Sequence, residues 1–284
     1  MSEQRLSPAD AFEILGDDVR LSILRALKDD HRPVSFSELR ERADVDDSGR
    51  FNYHLDRLRG HFIRRTDDDY ELRYHGKRVV ETVLSGTFTD TATVGPFSVE
   101  GTCYSCDGAL EGVYDDERVT IRCTDCEERI LSIDYPPSAL QNRDTEELME
   151  AYRRWATTGM TLAVNGVCPS CGGKTERYLY EPDNYLPFEL LVGFECTVCS
   201  NRSATSFATL ALRKSVVESF YADHDIDVET RPYWDIEPCV TGEYTTVESR
   251  DPLDVEVTFP VGDEELRVRL DGDLDIVRTV RERV

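Results

Sequence analysis

Eight of the nine cysteines fall into four Cys-x-x-Cys pairs: Cys103 with Cys106, Cys123 with Cys126, Cys168 with Cys171, and Cys196 with Cys199. Sixteen residues separate the first two pairs and 24 the last two. A Cys-x-x-Cys turn aims two thiolates at one ion, and two such turns close a tetrahedral four-thiolate site, for which zinc is the usual occupant. Two structural zinc ions are therefore expected, with disulfides as the alternative, disfavoured in a reducing cytoplasm. A closed four-thiolate site keeps no position for water, so hydrolysis is not expected there. A deaminase-type site would need a histidine ahead of Cys168, and none lies between His75 and His224. The sharper alternative to a structural role is a metal or redox sensor, since oxidised thiolates would release the ion. Cys239, the ninth cysteine, reads as a small buried apolar residue rather than a reactive thiol.

A second set of chemistry-bearing residues lies at 48–57. With Phe51, Leu55 and Leu58 on one face of a helix from about Ser48 to Arg59, the residues Ser48, Arg50, Asn52, Tyr53 and Arg57 point away from the core or flank it. Arg and Asn carry paired donors and acceptors that match guanine and adenine edges in the major groove. Ser and Tyr hydroxyls suit phosphates. The plain alternative is a solvated face with no partner.

The elements that would position this face form a sequence of their own. Ser7 caps a helix from Pro8 to Leu15 after a start, to about Leu6, expected without fixed structure. A second helix begins at Asp17, and residues 29–33 make a loop. Ser37 caps a short helix, Glu38 to Arg42, and a turn at 43–47 leads into the helix from Ser48, which Gly60 stops. Strands at Ile63–Arg65 and Tyr70–Tyr74 follow, joined by Asp67, Asp68 and Asp69, then a helix from Gly76 to Leu84. That order predicts a winged helix-turn-helix over residues 1–90. Outer helices in such folds often pair two subunits, or their apolar residues are simply core.

Thr87 to Pro96 is small and polar, so residues 91–96 are assigned as a linker. Residues 97–284 are expected to form a mainly β domain holding two zinc ribbons and a C-terminal β-hairpin, which makes the chain α+β. Strands are expected at Ala109–Tyr114 and Val119–Arg122, and a helix from Thr145 to Thr157 with Asp144 and Glu147 as a capping box. Leu148, Met149, Tyr152 and Trp155 make its apolar stripe. A further helix is expected from Leu212 to Asp223. Val255, Val257 and Phe259 alternate, then Leu266, Val268 and Leu270 return, a hairpin around Gly262 and Asp263. Tyr233, Trp234 and the aromatics near 178–194 suit an effector pocket or a core, and packing is the better reading.

The formal net charge is −24 over 284 residues. Residues 1–90 carry 15 Lys+Arg against 19 Asp+Glu, and the rest carry 18 against 38. Residues 50–78 reverse the sign, eight bases against five acids, where a duplex would be met. Only four lysines stand beside 29 arginines. An acidic, lysine-poor surface suits a cytoplasm at molar salt, where screening removes self-repulsion and counterion release adds little to DNA affinity. No apolar run is long enough to span a membrane and the N-terminus lacks a signal region, so a cytoplasmic location is expected.

The segment LGDDVRLSILRAL, followed by FSELRERADVDDSGRFNYHLDRLRGHFIRRTDDDYELRYHGKRVVETV, resembles the ArsR-like winged-helix regulators of halophilic archaea. The likeness covers about residues 9–86, and some members of this type continue into a cysteine-rich C-terminal domain. It implies a homodimeric transcriptional regulator whose DNA-facing residues fall on Ser48, Arg50, Asn52, Tyr53 and Arg57. Two departures stand out. No cysteine lies in residues 1–102, so the metal-sensing thiols of that family are missing from the helical part. The wing tip is acidic, so any wing contact must come from Arg64, Arg65 or Arg73.

The sequence thus leads to a sequence-specific regulator of double-stranded DNA whose cysteine-rich domain serves assembly or the sensing of a small-molecule, metal or redox effector. The alternative is a basal transcription factor-like or RNA-polymerase-associated protein, in which a winged helix followed by a zinc ribbon also occurs. No nucleophile–base pair, Gly-rich phosphate loop or carboxylate pair is visible, so no enzymatic activity is expected.

Overall fold

In the computed structural model, residues 6–28, 32–182 and 186–284 are described. The expectations for the start of the chain and for the loop at 29–31, and Tyr185 among the candidate pocket aromatics, lie outside them. By contact the chain divides into two units, Met1–Asp90 and Thr91–Val284.

The first unit runs α1 (Pro8–Leu15), α2 (Asp18–Lys28), β1 (Val34–Ser35), α3 (Phe36–Arg42), α4 (Ser48–Leu58), β2 (Ile63–Thr66), β3 (Asp69–Leu72) and α5 (Tyr74–Leu84). Ser7 caps α1 by accepting from the Asp10 amide, and Pro8 occupies the first turn, where its missing N–H costs nothing. The cap of α3 is Ser35 rather than Ser37: its hydroxyl accepts from the Glu38 amide. Ser35 can do so because β1, too short to show in the alternation, pairs with β3 and holds its backbone extended. The sheet order is β1-β3-β2. Tyr74 opens α5 instead of ending a strand.

Helix α2 is the hub of this unit, with Ile23 and Leu24 fully buried and α3, α4 and α5 packed around it. Arg20 lies inside as well. Its guanidinium donates to the carbonyls of Ile14 and Glu13, capping α1, and its Nη1 lies 3.4 Å from His54 Nδ1 on α4. The same His54 nitrogen is 3.3 Å from Asp17 Oδ1. Three helices therefore meet at one buried polar cluster.

In the second unit β4 (Val94–Thr102), β5 (Ala109–Asp115), β6 (Arg118–Cys123) and β7 (Arg129–Asp134) form an antiparallel sheet in sequence order. The expected linker at 91–96 is thus partly strand: Val94 pairs with Tyr114, and cross-strand hydrogen bonds order a stretch whose composition reads as loop. Asp116 and Glu117 both take positive φ, the geometry of a two-residue hairpin turn. Helix α6 (Thr145–Val164) carries the full Asp144/Glu147 capping box and runs well past Thr157. Leu148, Met149 and Tyr152 are buried, but Trp155 is 49% exposed and packs at a tilt against Tyr135.

A second sheet follows, β8 (Thr175–Tyr180), β9 (Leu191–Cys196) and β10 (Arg202–Thr205), in the order β10-β9-β8. The expected helix from Leu212 to Asp223 is α8 (Ser215–Ala222), which starts three residues later, after a separate short helix α7 (Phe207–Ala211), with α9 (Glu237–Val240) beyond. The expected terminal hairpin is the centre of a four-stranded sheet, β11 (Thr245–Arg250), β12 (Leu253–Val261), β13 (Glu264–Leu270) and β14 (Ile276–Arg283). Val257 faces Val268 and Phe259 faces Leu266, and both pairs are buried against α7 and α8. Among the described residues no helix is long and apolar enough to cross a membrane.

Candidate metal centres and nucleic-acid interface

Each Cys-x-x-Cys pair sits where a strand turns. Cys103 and Cys106 fill the bend from β4 to β5, and Cys123 ends β6 with Cys126 in the turn to β7. Cys168 and Cys171 precede β8, while Cys196 ends β9 with Cys199 before β10. All four turns share one backbone geometry. The amide of the first cysteine donates to the carbonyl five residues on: Cys103 to Gly108, Cys123 to Glu128, Cys168 to Gly173 and Cys196 to Asn201, at 2.8–2.9 Å. The residue after the second cysteine is left-handed in every case, Asp107, Glu127, Gly172 and Ser200.

These turns bring the sulfurs of Cys103, Cys106, Cys123 and Cys126 within 4.8 Å of one another, and likewise those of Cys168, Cys171, Cys196 and Cys199. In each pair the first cysteine is buried and the second exposed. All nine cysteines are free, with no disulfide. The amides of Ser105, Asp125 and Val198 point at Cys103, Cys123 and Cys196, each N···S distance being 3.4 Å. Two of the buried sulfurs are closely approached by glycines: an ideal Cβ on Gly108 would lie 2.8 Å from Cys123 Sγ, and one on Gly173 3.1 Å from Cys196 Sγ. Both clusters are geometrically suited to a metal ion.

Electrostatics point the same way. The amides of Cys199 and Val198 pull the Cys196 thiol down to about 6, and the Cys126 amide, working against burial, brings Cys123 to about 7. Cys106 and Cys171 move oppositely, to about 12: the Gly108 and Gly173 amides favour their thiolates, but the neighbouring sulfurs outweigh them. Four thiolates crowded together cannot all ionise without a cation between them, whereas a bound metal deprotonates them outright. Cys239 is apart from both clusters. Burial within α9 pushes its thiol up to about 12, as an inert core residue requires.

In the first unit α4 starts at the Asp47 cap, whose carboxylate accepts from the Arg50 amide at 2.6 Å. Phe51, Leu55 and Leu58 are fully buried, so the helix is pinned with its other face outward. Ser48, Arg50, Asn52, Tyr53 and Arg57 are all exposed, Tyr53 at 60%. The Arg50 side chain has no ionic partner among the described residues. Asn52 reaches Asp56 at 3.3 Å and Arg57 reaches Glu13 at 3.4 Å, both long contacts at exposed sites. The hairpin arginines are engaged within the unit. Arg64 binds Glu71 at 2.7 Å, Arg65 binds Asp68 at 2.7 Å, and Arg73 donates to the Gly60 carbonyl.

Two features had no signal in the sequence. Trp234 is buried, its indole donates to the Glu100 carbonyl, and Asp235 accepts from the Thr102 amide at 3.1 Å. Together they clamp the strand end that delivers Cys103. Trp234 also packs against Tyr152, and Tyr233 against Trp234, so these aromatics are core rather than pocket lining. The Arg20 cluster is the other: an arginine between Val19 and Leu21 on an amphipathic helix reads as surface.

No curated protein matches the chain. Residues 8–83 match a family model described as a domain of unknown function, DUF7347. Residues 100–276, more than half of the chain and nearly all of the cysteine-rich unit, match a second such model, DUF7351, and the chain belongs to that family.

Proposed function

We propose that this chain is a sequence-specific, DNA-binding transcriptional regulator, homodimeric, in which residues 1–90 form an ArsR-like winged helix-turn-helix and the cysteine-rich unit holds two zinc ions. The observation that carries the reading is α4: its apolar residues are wholly buried while Arg50, Asn52 and Tyr53 stand clear on the opposite side. A helix so held presents base-reading groups to a major groove. The order α2, α3, α4 and the β2–β3 hairpin supports the winged arrangement. Because Arg64 and Arg65 are bound to wing acids, α4 rather than the wing carries most of the contact in this reading. Phe12 on α1, Leu84 at the end of α5 and Phe88 beyond it are exposed by 71%, 52% and 76%, apolar surface that a second copy would cover.

The sulfur geometry is compatible with zinc, the usual occupant of a closed four-thiolate site. Zinc–sulfur bonds of about 2.3 Å give a tetrahedron with sulfur–sulfur edges of about 3.8 Å. The spacings here run from 3.4 to 3.7 Å across Cys103–Cys126, Cys106–Cys123 and Cys106–Cys126, and from 3.5 to 3.7 Å across Cys168–Cys199 and Cys171–Cys196. Zinc supplies a crosslink between two hairpin turns that a small sheet lacks by itself. Ser105, Asp125 and Val198 amides orient the thiolates that receive it. The test is a genome-wide binding map at high salt with the parent chain and with Arg50→Ala. Discrete peaks that vanish in the variant, with fold and zinc content intact, are expected. Unchanged peaks, or co-purification with RNA polymerase without discrete sites, overturn the reading.

A further inference from the structure

The two clusters share their backbone geometry and differ in what surrounds it. Across the ten-residue windows 100–109 and 120–129 the first cluster has five acids (Glu100, Asp107, Asp125, Glu127, Glu128) against Arg122 and Arg129. Across the matching windows 165–174 and 193–202 the second has one acid, Glu195, against Lys174 and Arg202. The formal balance is −3 against +1. Pairing does not remove the contrast, since Arg122 is drawn to Glu111 at the first cluster and Lys174 to Glu176 at the second. The acids are also near. An ideal Cβ on Gly108 would lie 2.8 Å from both Cys123 Sγ and the Asp125 carboxylate, which puts those two within about 6 Å of each other.

Resting on the zinc reading above, we propose that the first cluster is the exchangeable metal centre and the second the permanent one. Uptake of a divalent ion releases the thiol protons to solvent and leaves four thiolates around it with a net charge of −2. That is more negative than the mostly protonated empty cluster, so each neighbouring carboxylate raises the cost of binding while a cation lowers it. The same thiolate set is therefore held less tightly at Cys103, Cys106, Cys123 and Cys126 than at Cys168, Cys171, Cys196 and Cys199. The first cluster also has a way to report its state. Cys103 and Cys123 share a core with Trp234, whose indole and whose neighbour Asp235 grip Glu100 and Thr102 just ahead of Cys103. Trp155, the only other tryptophan, packs at a tilt against Tyr135 of the same core. Tyr233 links that core to the one beneath the C-terminal sheet. Loss of the first ion frees the strand end and disturbs both indoles, and the ligand class that this registers is thiophilic divalent cations.

The experiment is chelator competition on the full chain carrying two zinc equivalents, following released zinc by a colorimetric chelator and tryptophan emission in parallel. Two phases are expected, separated at least about tenfold in apparent affinity at 0.1 M salt, with the emission change confined to the first. Cys126→Ser should delete the weak phase and Cys199→Ser the tight one. Asp125→Asn with Glu127→Gln, neither a ligand, should narrow the gap about threefold or more, and 1 M salt should narrow it too, since the screening length falls from about 10 Å to about 3 Å. A single phase, emission following the tighter ion, or a gap indifferent to charge variants overturns the proposal while leaving zinc in place. A chain that retains no zinc through purification and takes up none overturns the zinc reading itself.

Discussion

The indole Nε1 of Trp234 donates to the Glu100 carbonyl at 3.0 Å, joining residues 134 positions apart. This bond and the Asp235–Thr102 contact tie the approach to the first cysteine turn into the unit's core. Trp234→Phe keeps most of the packing and removes a part-buried hydrogen bond, at a cost of about 1 kcal/mol. The expected outcome is a lower unfolding midpoint together with faster zinc loss from the first cluster. Equal loss rates from both clusters would show that the bond is not part of that site's support.

Arg20 bridges the carbonyls of Glu13 and Ile14, His54 and the neighbourhood of Asp17. Arg20→Met matches the aliphatic stem but strands two carbonyls and a partly covered carboxylate. A loss of about 2–4 kcal/mol is expected in denaturant unfolding of the first unit, without change in zinc content. In the DNA-binding reading proposed above, where α4 is the contact helix, the position of His54 on α4 means that DNA affinity should fall with stability.

Gly173 sits where a Cβ would press on Cys196 Sγ and Val198. Gly173→Val should therefore displace a ligand of the second cluster and cut bound zinc from about two to about one per chain. Gly166, where nothing lies within 4 Å of the added atom, has φ +81 and serves as the control: substitution there strains the backbone and spares the metal.

Acid should weaken the C-terminal sheet. Arg281 and Arg283 hold the Glu264 carboxyl below its ordinary 4.5, and Arg269 holds Asp254 below 3.8. A carboxyl whose folded value is depressed contributes stability that is fully present above its unfolded value and is lost as pH falls through the folded one. Stability should therefore be level from pH 7 to about 5 and decline below about pH 4. Arg269→Gln should flatten part of that decline, read from denaturant midpoints at pH 3, 4 and 7. Because these carboxylates are only partly covered, molar salt should reduce the effect.

The two four-cysteine clusters were legible from spacing alone. A Cys-x-x-Cys turn delivers two ligands within four residues, so local geometry decides it, and the Asp144/Glu147 capping box is local in the same sense. The buried face of α4 was also legible, since Phe51, Leu55 and Leu58 recur at helical period. The β1 strand was not, because two residues have no period, and the outer strands β11 and β14 were hidden by their mixed charge.

The sequence by itself determined which cysteines gather into two clusters suited to a metal ion and which side of α4 is apolar, because both follow from intervals of a few residues. Only the tertiary structure decided that Arg20 is buried, that Arg64 and Arg65 are occupied by Glu71 and Asp68, and that Trp234 secures the strand leading to Cys103. Burial and charge pairing depend on what a distant or adjacent strand places within a few ångströms. No local pattern encodes that distance until the chain has folded.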